Sequence, residues 1–221
     1  KHNANFHWCD FHQITNFSHF NGVSKLLGSY IYYCCKFNDN IEFNFHGEKI
    51  PWYLFDGCIF EKELKLSNIK EFNEPINRNN TYKDKIILEN ISFVQNYNCF
   101  NNSNFEYLEI YLHHKNNQDL DLRFSNCKFN KKLKIRSIEY DENHKGISYK
   151  KQQNNKAQLK SLRFINCSMN NDTYFRIGFL KVDFFTIKNL RNPPNAELNI
   201  GDCHFKNFKL TNFRNVGKFK L

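Results

Sequence analysis

The chain has 221 residues, with 32 Lys and Arg against 22 Asp and Glu, and so carries a formal net charge of +10. This length suits one domain with a substantial core, and the charge favours anionic partners while excluding an acidic surface. The sequence shows neither a secretory signal nor an apolar run of membrane-spanning length. We therefore expect one domain over residues 1–221 that lies in the cytoplasm or faces it.

A short phrase of apolar residues recurs along the chain. In each copy an apolar residue is followed two positions later by a second apolar residue, three positions after that by a Cys, and two positions after the Cys by a further apolar residue. Copies with the Cys occupy residues 4–11, 30–37, 53–60, 122–129, 162–169 and 198–205, and related copies without it occupy residues 86–93 and 103–110. A fixed spacing that recurs this often predicts stacked repeat units.

The spacing within each phrase predicts strands. Side chains two residues apart share a face only where the backbone is extended, so Leu122 and Phe124 form one short inward-facing strand and Cys127 and Phe129 the next. Asn126 and the residue before it turn the chain between these two strands. A helix would instead need apolar residues three and four apart. Stacked coils of this kind predict an all-β parallel β-helix.

A third apolar pair follows several phrases and indicates a further face of the coil. In one such pair, Leu133 and Ile135 alternate with Lys132, Lys134 and Arg136. The inside is therefore expected to be apolar and the outside wet and positive. Other pairs of this kind are Ile41 with Phe43, Leu64 with Leu66, and Phe208 with Leu210.

These residues resemble the pentapeptide-repeat family, in which a small residue lies two positions before a large one with a period of five. The resemblance covers phrases spread over the whole chain, and the small residues are Ala4, Cys9, Cys35, Cys58, Cys127, Cys167 and Cys203. It implies a right-handed, quadrilateral parallel β-helix, here a divergent form with loop insertions. We further expect the chain to be part of a longer bacterial protein. Some members of that family mimic DNA with an acidic surface, and a net charge of +10 argues against that role.

Breaks in the pattern predict four loop insertions, at residues 12–29, 67–85, 137–160 and 184–197. The last contains Pro193 and Pro194, which donate no hydrogen bonds to a strand ladder. Insertions in a solenoid are common places for binding.

The cysteines are predicted to fill the core. Six of the eight fall on the inward repeat position, where Cys acts as a small hydrophobe, and buried free thiols suit a reducing compartment. No close Cys or His pair has the spacing of a zinc site, so neither a metal nor a cofactor is expected. The acidic residues are scattered, so no catalytic residues are assigned and an enzyme is not expected.

The sequence favours a non-catalytic protein-interaction scaffold. The alternatives are a basic module that binds nucleic acid or an anionic membrane surface and, third, a carbohydrate-active β-helix. Most aromatics fall on inward positions, which argues against base stacking, and open ends of the helix suggest a homodimer. The candidate surface for an anionic partner comprises Lys131, Lys132, Lys134, Arg136, Lys150, Lys151, Lys160 and Arg163.

This assignment of faces predicts unequal effects on stability. Replacing inward Phe129 or Phe164 with Ala should lower the free energy of unfolding by about 3–5 kcal/mol, as large-to-small core changes do. Replacing outward Lys132 with Ala should change it by about 0.5 kcal/mol or less. Urea denaturation measures both effects, and equal losses at the two kinds of position would contradict the assignment.

Overall fold

The strands of the chain stack in parallel as a β-solenoid. The computed structural model describes residues 6–12, 30–44, 49–50, 53–72, 77–93, 100–113, 121–138, 156–215 and 217–221. Within these ranges all strand pairs are parallel and no helix is found. The predicted all-β parallel β-helix is confirmed, and the hand of the coil and its four-sided section stay predictions.

Among the described residues, one sheet stacks nine strands, one from each successive rung of the coil; we call it the first ladder. Its strands, in spatial order, are β1 (Phe6–His7), β3 (Tyr30–Tyr33), β7 (Tyr53–Asp56), β10 (Asn77–Arg78), β12 (Phe100–Asn101), β14 (Asp121–Ser125), β16 (Ala157–Ile165), β19 (Leu180–Lys188) and β22 (His204–Thr211).

A second sheet forms the next two faces, because its longer strands bend around a corner. The second ladder holds β2 (Asp10–Phe11), β4 (Lys36–Phe37), β8 (Ile59–Phe60), the first residues of β11 (Thr81–Phe93), β13 (Asn104–His113) and β15 (Lys128–Ile138), then β17 (Ser168–Met169), β20 (Arg191–Asn192) and β23 (Arg214–Asn215). The third ladder holds β5 (Ile41–Asn44), β6 (Lys49–Ile50), β9 (Leu64–Phe72), the later residues of β11, β13 and β15, then β18 (Tyr174–Gly178), β21 (Glu197–Gly201) and β24 (Lys218–Lys220).

Stacked aromatic rings fill the interior behind the second ladder. Neighbouring rings lie 4.8 to 5.6 Å apart between centroids and are nearly parallel. Offset stacking at such distances adds to the apolar burial that holds successive rungs together. The rings in this stack are Phe11, Phe37, Phe60, Tyr82, Phe105 and Phe129.

The corner between the first and second ladders repeats one backbone conformation in every rung. The residue that turns the chain has a left-handed φ of 50° to 65°, a region in which Gly and Asn are favoured. The carbonyl of the next residue in most rungs accepts a hydrogen bond from the following rung, which fixes the register. The turning residues are Trp8, Cys34, Gly57, Asn79, Asn102, Asn126, Asn166, Asn189 and Asn212.

Four of the six cysteines predicted to fill the core are buried inside this corner and unbridged: Cys35, Cys58, Cys127 and Cys167. Cys9 is only partly buried, and Cys203 is partly buried at another corner, between β21 of the third ladder and β22 of the first. Their thiols reach backbone carbonyls, as where Cys58 Sγ donates to the Tyr32 carbonyl oxygen at 3.4 Å. A small side chain fits there because the stacked rings leave little room at the turn.

Four sequence-based assignments are wrong in register. Leu198 and Ile200 lie in β21 and pair with the third ladder, whereas Leu122 and Phe124 of the aligned phrase lie in β14 of the first ladder. Ile86 and Leu88 of the copy at residues 86–93 likewise lie in the third ladder. In the copy at residues 103–110, Ser103 occupies the corner position that Cys holds in other rungs, so this copy is displaced as well. Phe208 and Leu210 belong to the first ladder. Apolar pairs occur on every face, so the phrase alone does not identify its corner.

Two of the four predicted insertions are largely continuations of the rungs. Residues 184–197 hold the end of β19, all of β20 and the start of β21, and the two prolines lie in the turn between β20 and β21, where Ala196 donates to the Pro193 carbonyl oxygen. Residues 67–85 hold the end of β9, β10 and the start of β11. Most of the other two predicted insertions, residues 13–29 and 139–155, lies outside the described residues.

The left-handed corner predicts a specific tolerance at Asn126. Changing Asn126 to Gly should leave stability nearly unchanged, whereas Asn126→Val should lower it by about 1–2 kcal/mol, because a β-branched residue is strained at this φ. Ser168→Val, at an exposed extended position of β17, is the control and should be nearly neutral. Urea denaturation compares the variants; equal stability of the Gly and Val variants at position 126 would contradict the strain.

Candidate functional site

The structure brings part of the predicted cationic surface together. Lys131, Lys132, Lys134 and Arg136 all lie on β15. The last three alternate with the buried residues Leu133 and Ile135 and therefore lie on the outward side of the third ladder.

The other predicted cations lie elsewhere. Lys160 and Arg163 belong to β16 in the first ladder, where Arg163 stacks in register on Arg123 of the neighbouring strand. Lys150 and Lys151 lie outside the described residues. The eight predicted positions therefore do not form one surface within the part of the chain that the structure describes.

Tyrosines flank the cations of β15 on both sides. In register, Tyr107 of β13 and Tyr174 of β18 lie on either side of Lys132, and Tyr111 of β13 lies beside Arg136. Arg176 of β18 lies beside Lys134 of β15. We call this outward surface the cation–tyrosine face; its members are Tyr107, Tyr111, Lys132, Lys134, Arg136, Tyr174 and Arg176.

A buried carboxylate anchors one side of this face. Glu109 is only 6% exposed and accepts a hydrogen bond from Lys132 Nζ at 2.8 Å, while Lys85 Nζ lies 3.7 Å away. The hydroxyl of Tyr111 also donates to it. Burial raises the pKa of the carboxyl, but these hydrogen bonds and the two lysines outweigh burial and hold the pKa of Glu109 below its usual value.

Lys132 therefore contributes to stability, although the sequence pattern predicts an outward position at which substitution has little effect on stability. Removing its ammonium group would leave the buried carboxylate of Glu109 without its closest cation. We now expect Lys132→Ala to lower the free energy of unfolding by about 1–3 kcal/mol, the usual result when a buried polar group loses its partner.

The remaining cations of the face are not neutralised by acids. Among the described residues, no carboxylate forms a salt bridge with Lys134, Arg136 or Arg176. Lys134 Nζ donates to the Tyr111 hydroxyl at 3.3 Å and lies 5.1 Å from the ring centroid, and the Arg136 guanidinium lies 5.6 Å from the same centroid. Arg136 Nε is buried and has no hydrogen-bond partner in the described structure.

The electrostatic environment of Lys134 shows this excess of positive charge. Burial lowers the pKa of its ammonium group, and the nearby carboxylate of Glu109 opposes that shift. The positive charges of Arg136, Lys132 and Arg176 add to the lowering. The pKa of Lys134 therefore lies below its usual value, and an anion placed here would relieve the repulsion.

An earlier part of the same ladder shows the opposite balance. Lys65 of β9 lies between Glu42, at 3.1 Å, and Glu89, at 3.3 Å. Although burial lowers the pKa of Lys65, its two carboxylate partners raise it overall. The positive charge of the third ladder is thus neutralised at Lys65 of β9 but not at Lys134 of β15 or Arg176 of β18.

A groove borders the face where the second ladder turns into the third. It has a volume of about 840 Å³ and is lined by Tyr107, Lys128, Asn130, Lys131, Lys132 and Tyr174, among others. The groove forms because successive rungs turn this corner with different lengths of chain: Glu106 alone in β13, Asn130 and Lys131 in β15, and residues 170–173 between β17 and β18.

Side chains in this corner groove form a connected network. Asn170 donates to Asn130 at 3.0 Å, and Asn130 donates to Glu106 at 2.6 Å. Lys131 Nζ lies 3.5 Å from Glu106 and 5.3 Å from the Tyr107 ring centroid. The groove therefore combines amides, cations and aromatic rings in one place.

Sequence analysis missed the tyrosines of the face. Tyr107 and Tyr111 alternate with the buried residues Leu108 and Ile110, so the period of two already assigned both tyrosines to the outside. Tyr174 was obscured because the chain between it and the preceding phrase is longer than the usual spacing.

Comparison with known proteins returns no match: no family model, curated protein or solved structure is significantly similar to this chain. Within the described ranges, no helix has the length and apolarity needed to cross a bilayer. Among the same residues, no three His, Cys, Asp or Glu side chains converge as a metal ion would require.

The ion pairs of Glu109 predict a pH dependence of stability. Because its folded-state pKa lies below the ordinary value of 4.5, its charge stabilises the fold above that pH, and this contribution is lost as the pH falls through the folded-state pKa. Glu109→Gln should therefore be less stable at neutral pH and lose less stability on acidification than the parent chain.

Urea unfolding at neutral pH and below pH 4.5 measures this difference. Asp172→Asn, which removes an exposed carboxylate, is the control and should follow the parent chain. Parallel acid curves for the Gln variant and the parent would show that Glu109 makes no such contribution.

Proposed function

We propose that this chain is a non-catalytic β-solenoid scaffold that holds an anionic partner on the cation–tyrosine face. The observation that supports it is the local excess of positive charge at Lys134, Arg136 and Arg176, in contrast with the neutralised Lys65 on the same ladder. Unpaired cations on a rigid strand attract and orient anionic partners, because complementary charge speeds encounter and fixes register.

The ionisable groups of the face support a binding role over acid–base catalysis. The pKa of Tyr111 is raised, first by burial and then by its hydrogen bond to Glu109, and the pKa of Glu109 is lowered. Both shifts move these groups away from neutral pH, whereas a general acid or base works best with a pKa near the working pH.

The family resemblance forms part of the proposal. A small buried residue follows a left-handed turn, as at Cys58 after Gly57 and Cys127 after Asn126. This arrangement supports a divergent pentapeptide-repeat-like scaffold. The buried, unbridged thiols of Cys35 and Cys167 support a reducing, cytoplasmic setting.

Charge reversal on the face tests the proposal. A variant that combines Lys134→Glu, Arg136→Glu and Arg176→Glu should elute from immobilised heparin at clearly lower salt than the parent chain, because it loses the cations that contact the polyanion. The matched control combines Lys181→Glu, Lys188→Glu and Lys209→Glu, three exposed cations of the first ladder with the same change in net charge.

The control variant should elute from heparin at nearly the same salt concentration as the parent chain. If both variants eluted at the same salt concentration, binding would depend on net charge alone and the assigned face would be wrong. Circular dichroism on both variants establishes that each is folded.

A further inference from the structure

We infer that the cation–tyrosine face binds single-stranded nucleic acid, with the phosphates along β15 and bases on the tyrosines of the neighbouring strands. This inference rests on the proposed scaffold function and names the chemistry of its partner. It is carried by the order of residues across three rungs, in which a row of cations lies between two rows that contain aromatic rings.

The central row suits an extended anionic backbone. Lys132, Lys134 and Arg136 occupy alternate positions of β15, so their Cα atoms are roughly 6.6 Å apart along a straight line. Lys134 and Arg136 form no salt bridge with a carboxylate among the described residues. Phosphate groups would supply the negative charge that these two cations lack.

The neighbouring strands β13 and β18 offer aromatic rings on which bases can stack. Tyr107 and Tyr174 are partly exposed and lie in register on opposite sides of Lys132, two rungs apart, which is roughly 9.6 Å. A single strand on the central row can turn successive bases to either side and place them on these rings. Base–aromatic stacking of this kind, combined with a positive path for the backbone, is the usual basis of single-strand binding.

The corner groove extends the same surface beyond Lys132. Asn130 and Asn170 offer amide donors and acceptors that match base edges, and Lys128 adds a further exposed cation. Lys131, with a side chain 58% exposed, lies over the Tyr107 ring and 3.5 Å from Glu106, so a base that stacks on Tyr107 would displace it from the ring. The groove also holds two carboxylates, Glu106 and Asp172, which suit base amino groups and would keep phosphates on the β15 side.

Other anionic partners fit this arrangement less well. A duplex keeps its bases stacked inside, so it would contact the cations but leave Tyr107 and Tyr174 unused. An acidic polypeptide or an anionic bilayer likewise supplies negative charge without planar rings for the tyrosines. The two flanking tyrosines therefore distinguish a single strand from these alternatives.

Fluorescence anisotropy with a labelled oligothymidine of about 12 nucleotides, within the range of known single-strand sites, tests the inference. The parent chain should bind it more tightly than a duplex of equal length, and binding should weaken steeply with salt. Tyr107→Leu combined with Tyr174→Leu should weaken binding about tenfold or more, since stacking contributes roughly 1–3 kcal/mol per base.

Two controls separate stacking from loss of structure. Tyr107→Phe with Tyr174→Phe keeps both rings and should retain oligothymidine binding. Phe184→Leu removes a 47% exposed aromatic of the first ladder and should have no effect. Binding of polyglutamate or anionic vesicles, which have no bases, should be weaker than that of oligothymidine and unchanged in the leucine variant.

The outcomes distinguish the inference from the proposed function. Duplex binding as tight as single-strand binding, or an unchanged affinity in the leucine variant, would overturn the single-strand assignment. Tight, face-dependent binding of polyglutamate or vesicles without oligothymidine binding would overturn it too, while the anionic-partner scaffold would stand. If charge reversal on the face changed the binding of no polyanion, both would fall.

Discussion

The fold depends on the requirement that every rung repeat the shape of the one below it. Parallel strands form hydrogen bonds along their whole length only if the chain turns at the same places in each rung. The left-handed residue at the first corner, whether Gly57 or Asn126, sets one of these places, and the carbonyl after it bonds to the next rung. The apolar stacks inside follow, because residues at equal positions then lie directly above one another.

The same stacking brings outward residues into register and so creates the candidate site. Glu109, Lys134 and Arg176 are far apart in the sequence but occupy one column of the third ladder. The charges of a column cancel or not according to which residues meet. Lys65 lies between two carboxylates, whereas Lys134 lies between a second cation, Arg176, and Glu109, which is hydrogen-bonded to Lys132 instead. Local excess charge is therefore a property of the register, on which the proposed binding role depends.

Much of the architecture was predictable because periodicity of two is a local signal. The alternation of Leu133 and Ile135 with lysines identified both the strand and its two faces, and the buried Cys127 was assigned correctly to the core. Part of the site was equally accessible, since Tyr107 follows the same alternation. The assignment of Leu198 to a face was wrong because apolar pairs recur at every side of the coil, so the sequence pattern looks the same after a shift by one face.

The sequence by itself determined that the chain is a stack of short parallel strands with an apolar axis, because inward and outward positions are encoded by neighbours two residues apart. Tertiary structure alone decided which strands share a ladder, and hence that Tyr174 and Tyr107 flank Lys132 while Arg163 lies on another face. These relations depend on how much chain each rung uses at its corners. That length varies from rung to rung, and no local pattern of residues specifies its effect on register.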